Sequence, residues 1–137
     1  MWPSGGSARL AATATGPELR DSRELVLYDT ADEAVEVVTG LRDAVAACPA
    51  QDVEGGSTQV ITSLPGDTGY DTVTFAVTYT DGLGGGVYQF TRVGRAVLAT
   101  YDGGEWDAGS IAAGAARATE RTGRITPAMC AFTEAGC

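Results

Sequence analysis

The chain has 137 residues, 44% of them apolar, and a formal net charge of −9; that describes one domain with a single core, lacking the basic patch that nucleic-acid binding needs and repelled by an anionic membrane surface. It contains no histidine and no lysine, which removes the imidazole of Ser-His-Asp and Cys-His catalysis and every histidine metal ligand. No window approaches the roughly 18 consecutive apolar residues of a membrane helix.

Residues 1–22 are rich in Ser, Gly, Ala, Thr and Pro without periodicity. They read as a flexible leader or linker ahead of one domain spanning 23–137. The first residues lack the basic and apolar regions of a secretory signal, so export is expected to rest on a segment that this stretch does not show. Lysine and asparagine, both encoded by AT-rich codons, are missing, which points to a GC-rich, actinobacterial genome. A short strand is expected at Glu24-Leu-Val-Leu-Tyr28.

The first helix follows. Thr30 with Glu33 three residues on forms a capping box, and Asp32, Glu33 and Glu36 crowd the positive end of the dipole. Ala31, Ala34, Val35, Val38, Leu41, Val45 and Cys48 recur at helical spacing as one apolar stripe, and Pro49 stops the helix. Gly40 costs about 1 kcal/mol relative to Ala inside a helix and is expected to allow close approach to a sheet. Cys48 falls on the stripe, where a packed thiol and a cross-linked cysteine both suit.

A strand is expected over 58–64 and a turn over 65–69. Over 72–80, Val73, Phe75, Val77 and Tyr79 alternate with small or hydroxylated residues, the period of a strand with one buried face. The loop Asp81-Gly-Leu-Gly-Gly-Gly86 joins two strands, whereas a phosphate cradle needs a strand, a Gly-rich turn and a helix. Strands over 87–93 and 96–101 flank Gly94-Arg95, which suits a type II′ turn. That turn pairs Val93 with Ala96, Thr91 with Leu98 and Gln89 with Thr100 on one face. Arg92 with Val97, Phe90 with Ala99 and Tyr88 with Tyr101 lie on the other. A second helix is expected from 107 or 108 to 122, with Ile111, Ala115, Ala118 and Thr122 as its stripe and Gly123 closing it.

The architecture read from these elements is α+β, an antiparallel meander of about four to five strands flanked by two helices. With both helices on one side, the other face would carry an open aromatic strip of Tyr88, Phe90 and Tyr101 beside Arg92, with Trp106 at its rim. Ligand sites are concave, largely apolar and furnished with a few polar groups, so these five residues are the candidate ligand site. The competing reading makes the aromatic face the core and exposes Val87, Val93 and Leu98; Trp106 is then a lid over the core edge.

Catalytic arrangements are thin. Asp102, Glu105 and Asp107 could supply a carboxylate pair, but acids in a Gly-rich turn read as a solvated loop, and their spacing does not match a calcium loop. No enzyme activity, metal or cofactor is expected. Cys130 and Cys137, with six residues between them near the C-terminus, read as a short disulfide in an oxidising compartment. Cys48 is then left as a buried thiol.

The helix Ala31-Asp-Glu-Ala-Val-Glu-Val-Val-Thr-Gly-Leu-Arg-Asp-Ala-Val-Ala-Ala-Cys48-Pro49, the hairpin Phe90-Thr-Arg-Val-Gly-Arg-Ala-Val97, the Ala-rich helix and the Cys-ending tail resemble the PknH-like extracellular sensor domains of actinobacteria and their stand-alone lipoprotein relatives, over roughly 24–137. The resemblance implies an antiparallel sheet flanked by helices outside the membrane, disulfide bonds, a cleft for an unidentified small-molecule or cell-envelope ligand, and no catalysis. Three cysteines depart from an even disulfide set, so Cys48 lacks its partner, and no lipobox is visible. The expected protein is a secreted or surface-anchored ligand-sensing domain, a monomer or weak dimer. The alternative is a secreted protein–protein interaction or inhibitor-type domain.

Overall fold

A computed structural model describes residues 5–17, 20–82 and 84–137. Among the described residues the strands are β1 (Ala8–Thr15), β2 (Arg20–Leu27), β3 (Ala50–Asp52), β4 (Thr58–Leu64), β5 (Asp71–Tyr79), β6 (Gly85–Val93) and β7 (Ala96–Gly103). The helices are α1 (Ala31–Ala47), α2 (Ile111–Gly123) and α3 (Thr126–Met129). One antiparallel sheet of seven strands runs in the order β1-β2-β7-β6-β5-β4-β3, so the expected meander is its centre. Gly94 takes φ +59° and Arg95 does not join it at positive φ, as a type II′ turn requires. The β6–β7 register is the expected one, Tyr88 opposite Tyr101 and Phe90 opposite Ala99 on one face, Gln89 opposite Thr100 on the other.

The helices cover opposite faces, which overturns the expectation that both lie on one side. Ala34, Val38 and Val45 of α1 pack with Val26, Val73, Phe75, Val77, Phe90, Val97 and Ala99. Ile111 and Ala115 of α2 pack with Ala76 and Val87 on the other face, and Met129 of α3 with Val93, Ala96 and Leu98 beside them. The cause is in β6 and β7, which carry apolar residues on both faces; a central strand of that kind needs two covers. Burying Phe75 and Phe90, 0% and 1% exposed, contributes about 1.5–3 kcal/mol each. Gln89 is fully buried on the α2 face; its amide nitrogen donates to Thr74 Oγ1 at 3.0 Å and Thr119 Oγ1 at 2.9 Å, while its Oε1 has no partner among the described residues.

Three elements exceed the expected four to five strands and two helices. β1 and the start of β2 fall within the stretch read as a leader, 1–22. Every residue of β1 is exposed, so the strand buries neither face and carries no hydrophobic alternation to read. β3 is three residues long and fully exposed, and α3 is a single turn with proline at its start.

The first helix begins as expected, the backbone N–H of Glu33 donating to Thr30 Oγ1 at 3.1 Å and that of Asp29 to Glu33 Oε2 at 3.1 Å. Two details differ. Gly40 is exposed and a Cβ there would meet nothing within 4 Å, so it does not mediate close packing. Cys48 is a free but exposed thiol, because it is the C-cap residue, at φ −125° and ψ 67°, where the helical phase of the stripe no longer applies. Gly123 is the last residue of α2 rather than a left-handed cap. Cys130 and Cys137 are joined, with Cα atoms 5.2 Å apart. Among the described residues no helix is long and apolar enough to cross a membrane.

Candidate functional site

On the α1 face, aromatic rings form a row leading from the core to the surface. Phe90 stacks on Phe75 with centroids 6.1 Å apart, Phe75 on Tyr88 at 5.0 Å, and Tyr88 meets Tyr101 at 4.7 Å with the planes tilted by 42°. Strand pairing sets this order, since Phe75 is opposite Tyr88 and Tyr88 opposite Tyr101. Helix α1 covers the phenylalanines; Tyr79, Tyr88 and Tyr101 are half-buried. Offset and tilted pairs at such spacings add about 0.5–1.5 kcal/mol beyond area burial, so the row is a rigid platform.

Tyr101 lies down on the sheet rather than standing off it. Its ring rests over Gly86 and Gly103, which are register partners. A Cβ on Gly86 would come within 2.2 Å of Tyr101 Cε2, and one on Gly103 within 2.4 Å of its hydroxyl. Glycine within a strand marks close approach of another group, and here that group is the tyrosine ring.

Beyond Tyr101 opens a hollow of about 500 Å³ bordered by Pro17, Arg20, Gly85, Gly103 and Glu105. Ser22, the β2 partner of Tyr101, is buried beside it and lies 3.4 Å from Thr13 across hydroxyl oxygens. Burial pushes the Tyr88 phenol up to about 12, with Tyr101 and Tyr79 adding to the rise and Arg20 opposing it. The phenols and the guanidinium therefore share one electrostatic neighbourhood, and Tyr88 is neutral across the physiological range. The arrangement offers ring faces for a flat apolar group, hydroxyls as hydrogen-bond partners and one cation at the edge.

The five candidate residues are divided by the structure. Tyr88 and Tyr101 come together at the surface. Phe90 is 1% exposed and supports the row from behind. Arg92 lies four residues further along β6, where Nε meets Asp71 Oδ2 at 3.3 Å and Nη1 donates to the Gly94 carbonyl at 3.1 Å. Asp71 also takes Arg42 of α1 at 2.6 Å, so these groups clamp α1 to the sheet. Trp106 is on the opposite face against Val87, Ile111 and Ala115; its indole N–H donates to the Asp102 carbonyl at 2.9 Å. Arg20, Tyr79, Gly86 and Gly103 border the same rings without having been expected there. The two glycines had a signal, since they extend the hairpin register as a facing pair beside a tyrosine.

The acids at 102–107 do not form one cluster. Asp102 is buried and meets Arg117 and Arg121. Asp107 caps the turn before α2 by accepting from the backbone N–H groups of Gly109 and Ser110, each at 2.9 Å. Its carboxyl is held below the usual value first by the Ser110 side chain, then by those backbone donors. Among the described residues no group of three or more His, Cys, Asp or Glu side chains could hold a metal ion.

No protein-family model and no curated protein sequence matches the chain. Among solved structures, the fold is similar to that of the extracellular domain of PknH from Mycobacterium tuberculosis, with a TM-score of 0.56 and 16% sequence identity. The match covers 85% of this chain and 63% of that one, so the chain spans less than two thirds of its structural neighbour. At this identity the likeness is one of fold, an antiparallel sheet flanked by helices.

Proposed function

Taking that fold likeness as premise, we propose that the chain is an extracytoplasmic binding domain that senses a small ligand, without catalysis, on the Tyr88–Tyr101 platform. The observation that carries the reading is the row of rings that leaves the core and ends at an open hollow, with Arg20 at its edge. The ligand class that fits is a flat, partly apolar molecule with an acidic or hydrogen-bonding substituent. Likeness to an extracellular domain and the Cys130–Cys137 disulfide support placement outside the cytoplasm, since disulfides persist in oxidising compartments.

A fragment library of aromatic acids and cell-envelope small molecules, screened by amide chemical shifts, tests this. Binders should shift Arg20, Tyr88, Tyr101 and Gly103 together, and Tyr101→Ala should remove the effect while near-ultraviolet circular dichroism stays native-like. Binders that map elsewhere, or that survive Tyr101→Ala, refute the reading.

One observation favours the second reading, a secreted protein-interaction domain. β1 ends the sheet as an eight-residue strand exposed along its whole length, and Leu10 within it is 71% exposed. Arg9 is its one charge, so it lacks the usual blunting of an edge against strand addition. Protection of β1 amides from hydrogen exchange on adding a protein partner would support that reading over the small-ligand one.

A further inference from the structure

On the α2 face, where the helix crosses the β7–β2 side of the sheet, lies a second hollow of about 300 Å³, bordered by Thr15, Gly16, Asp21, Asp102, Arg117 and Arg121. Arg117 and Arg121 are four apart on α2 and so share one face of the helix. Asp21 and Asp102 are register partners on β2 and β7, presented upward to it. Arg117 Nη2 meets Asp102 Oδ2 at 2.5 Å. Arg121 Nη1 meets Asp21 Oδ2 at 2.9 Å and Asp102 Oδ2 at 3.7 Å.

Each guanidinium thus reaches these carboxylates through one terminal nitrogen. A guanidinium carries five N–H donors in a fixed fork, so most donors on both arginines are left over from these pairings. The side chains are 45% and 37% exposed, against 12% for Asp102 and 29% for Asp21, so the carboxylate is the more buried partner, most clearly at Asp102. Arg117 is also held from the side, its guanidinium carbon 5.1 Å from the centre of the Trp106 ring. Arg23, outside the lining, approaches Asp21 at 3.5 Å, and at the hollow itself two cations face two carboxylates.

We infer that this hollow is an oxyanion site, taking a carboxylate or phosphate group of a small ligand on the outward donors of Arg117 and Arg121. Paired, charge-assisted contacts from guanidiniums are the strong form of such recognition. Because carboxylates and an aromatic ring already fix both side chains, little rotamer freedom is lost on binding. The site is independent of the Tyr88–Tyr101 platform, which lies across the sheet.

The test is titration of the full chain with inorganic phosphate and, separately, with succinate at constant ionic strength, read from the side-chain Nε–H resonances of Arg117 and Arg121. Saturable shifts with at least one anion are expected; the stronger of the two identifies a phosphate-bearing or a carboxylate-bearing ligand. Arg117→Lys and Arg121→Lys keep the charges opposite Asp102 and Asp21 but lose the fork, and each should weaken binding about tenfold or more. Tyr101→Ala should leave this binding unchanged, so failure here and failure of the platform reading are separate results. Absence of a saturable shift with either anion overturns the inference, as does wild-type affinity in both lysine variants. The wild-type titration decides alone if a lysine variant loses its cooperative melt.

Discussion

Two glycines in helices give a matched pair of perturbations. Gly40 in α1 and Gly114 in α2 both become alanine, and each gains about 1 kcal/mol of helix propensity from the change. At Gly40 nothing lies within 4 Å of the new Cβ, so that gain stands unopposed. At Gly114 the Cβ would sit 2.8 Å from Val87 Cγ2 and 2.9 Å from Trp106 Cη2, both well inside van der Waals contact. Val87 is 1% exposed, and Trp106 is restrained by its indole hydrogen bond and by Arg117. Neither group can retreat freely, and overpacking of this kind costs about 1–3 kcal/mol. Gly40→Ala should therefore stabilise by about 1 kcal/mol, raising the melting temperature by about 3–5 °C. Gly114→Ala should come out about 1–3 kcal/mol below it, from near neutral to clearly destabilised, since the propensity gain cancels in the comparison. Urea unfolding followed by far-ultraviolet circular dichroism measures both, with equal m-values as the condition for comparing midpoints. If the two variants agree within about 0.5 kcal/mol, α2 can lift off the sheet without cost, and its close seating on β6 is refuted.

Reduction of Cys130–Cys137 should lower stability by roughly 2–3 kcal/mol in the chain-entropy account of so short a loop, and a Cys130→Ser, Cys137→Ser variant should match the reduced protein; unchanged unfolding midpoints count against it. Cys48 should react with a thiol reagent in the native state at the rate of an exposed cysteine, and protection until unfolding would contradict its position. Tyr88, whose phenol is raised to about 12 by burial first and by Tyr101 and Tyr79 next, should be the last tyrosine to ionise in an ultraviolet alkaline titration. Its folded value lies above the unfolded one, so its contribution is complete below about pH 10 and is lost as pH rises toward 12; Tyr88→Phe should delete that late step, and a single tyrosine transition near 10 would contradict it. For Asp107 the sign is reversed. Its folded-state value is lowered by Ser110 and Gly109, so its contribution is complete above the unfolded carboxylate range and fades as the pH falls through the folded value. Asp107→Ala should lower the urea midpoint at neutral pH and converge with wild type in acid; a constant offset at every pH speaks against the cap.

The hairpin register was legible because one glycine at one turn determines it, and every pair from Val93–Ala96 to Tyr88–Tyr101 follows from Gly94. Helix α1 was legible from its cap and stripe. Which face each helix covers was not, although β6 and β7 carried the sign of it in being apolar on both sides. β1 was missed for the opposite reason: Ala and Thr recur there with nothing to bury, so the strand is held by backbone pairing with β2 and by polar contacts such as Arg9–Glu24. Of the five candidate residues, the structure brings two together at the surface. Tyr88 and Tyr101 followed from the register, while Arg92 and Trp106 failed because reach along a strand and the side taken by a loop after β7 depend on tertiary packing. Arg20 belonged to the stretch without periodicity, and the Arg117–Arg121 pair, which meets Asp102 on β7, gains Asp21 only when β2 docks beside β7.

That docking also governs how the chain is assembled. Neighbours in the meander are joined by short loops, but Leu27 meets Ala96 and Arg20 meets Gly103, so the β2–β7 seam closes over half of the chain length or more. Loop-closure entropy makes such a pairing late, and non-local strand pairing slows folding. During synthesis the β1–β2 ribbon emerges first and then waits, both its edges open, until β7 has been made. For a chain that crosses a membrane before it folds, that wait is harmless; for one retained at high concentration, an unpaired ribbon is a nucleus for aggregation. The strand order thus makes the β2–β7 seam the last of the central pairings to close, once β7 has been made.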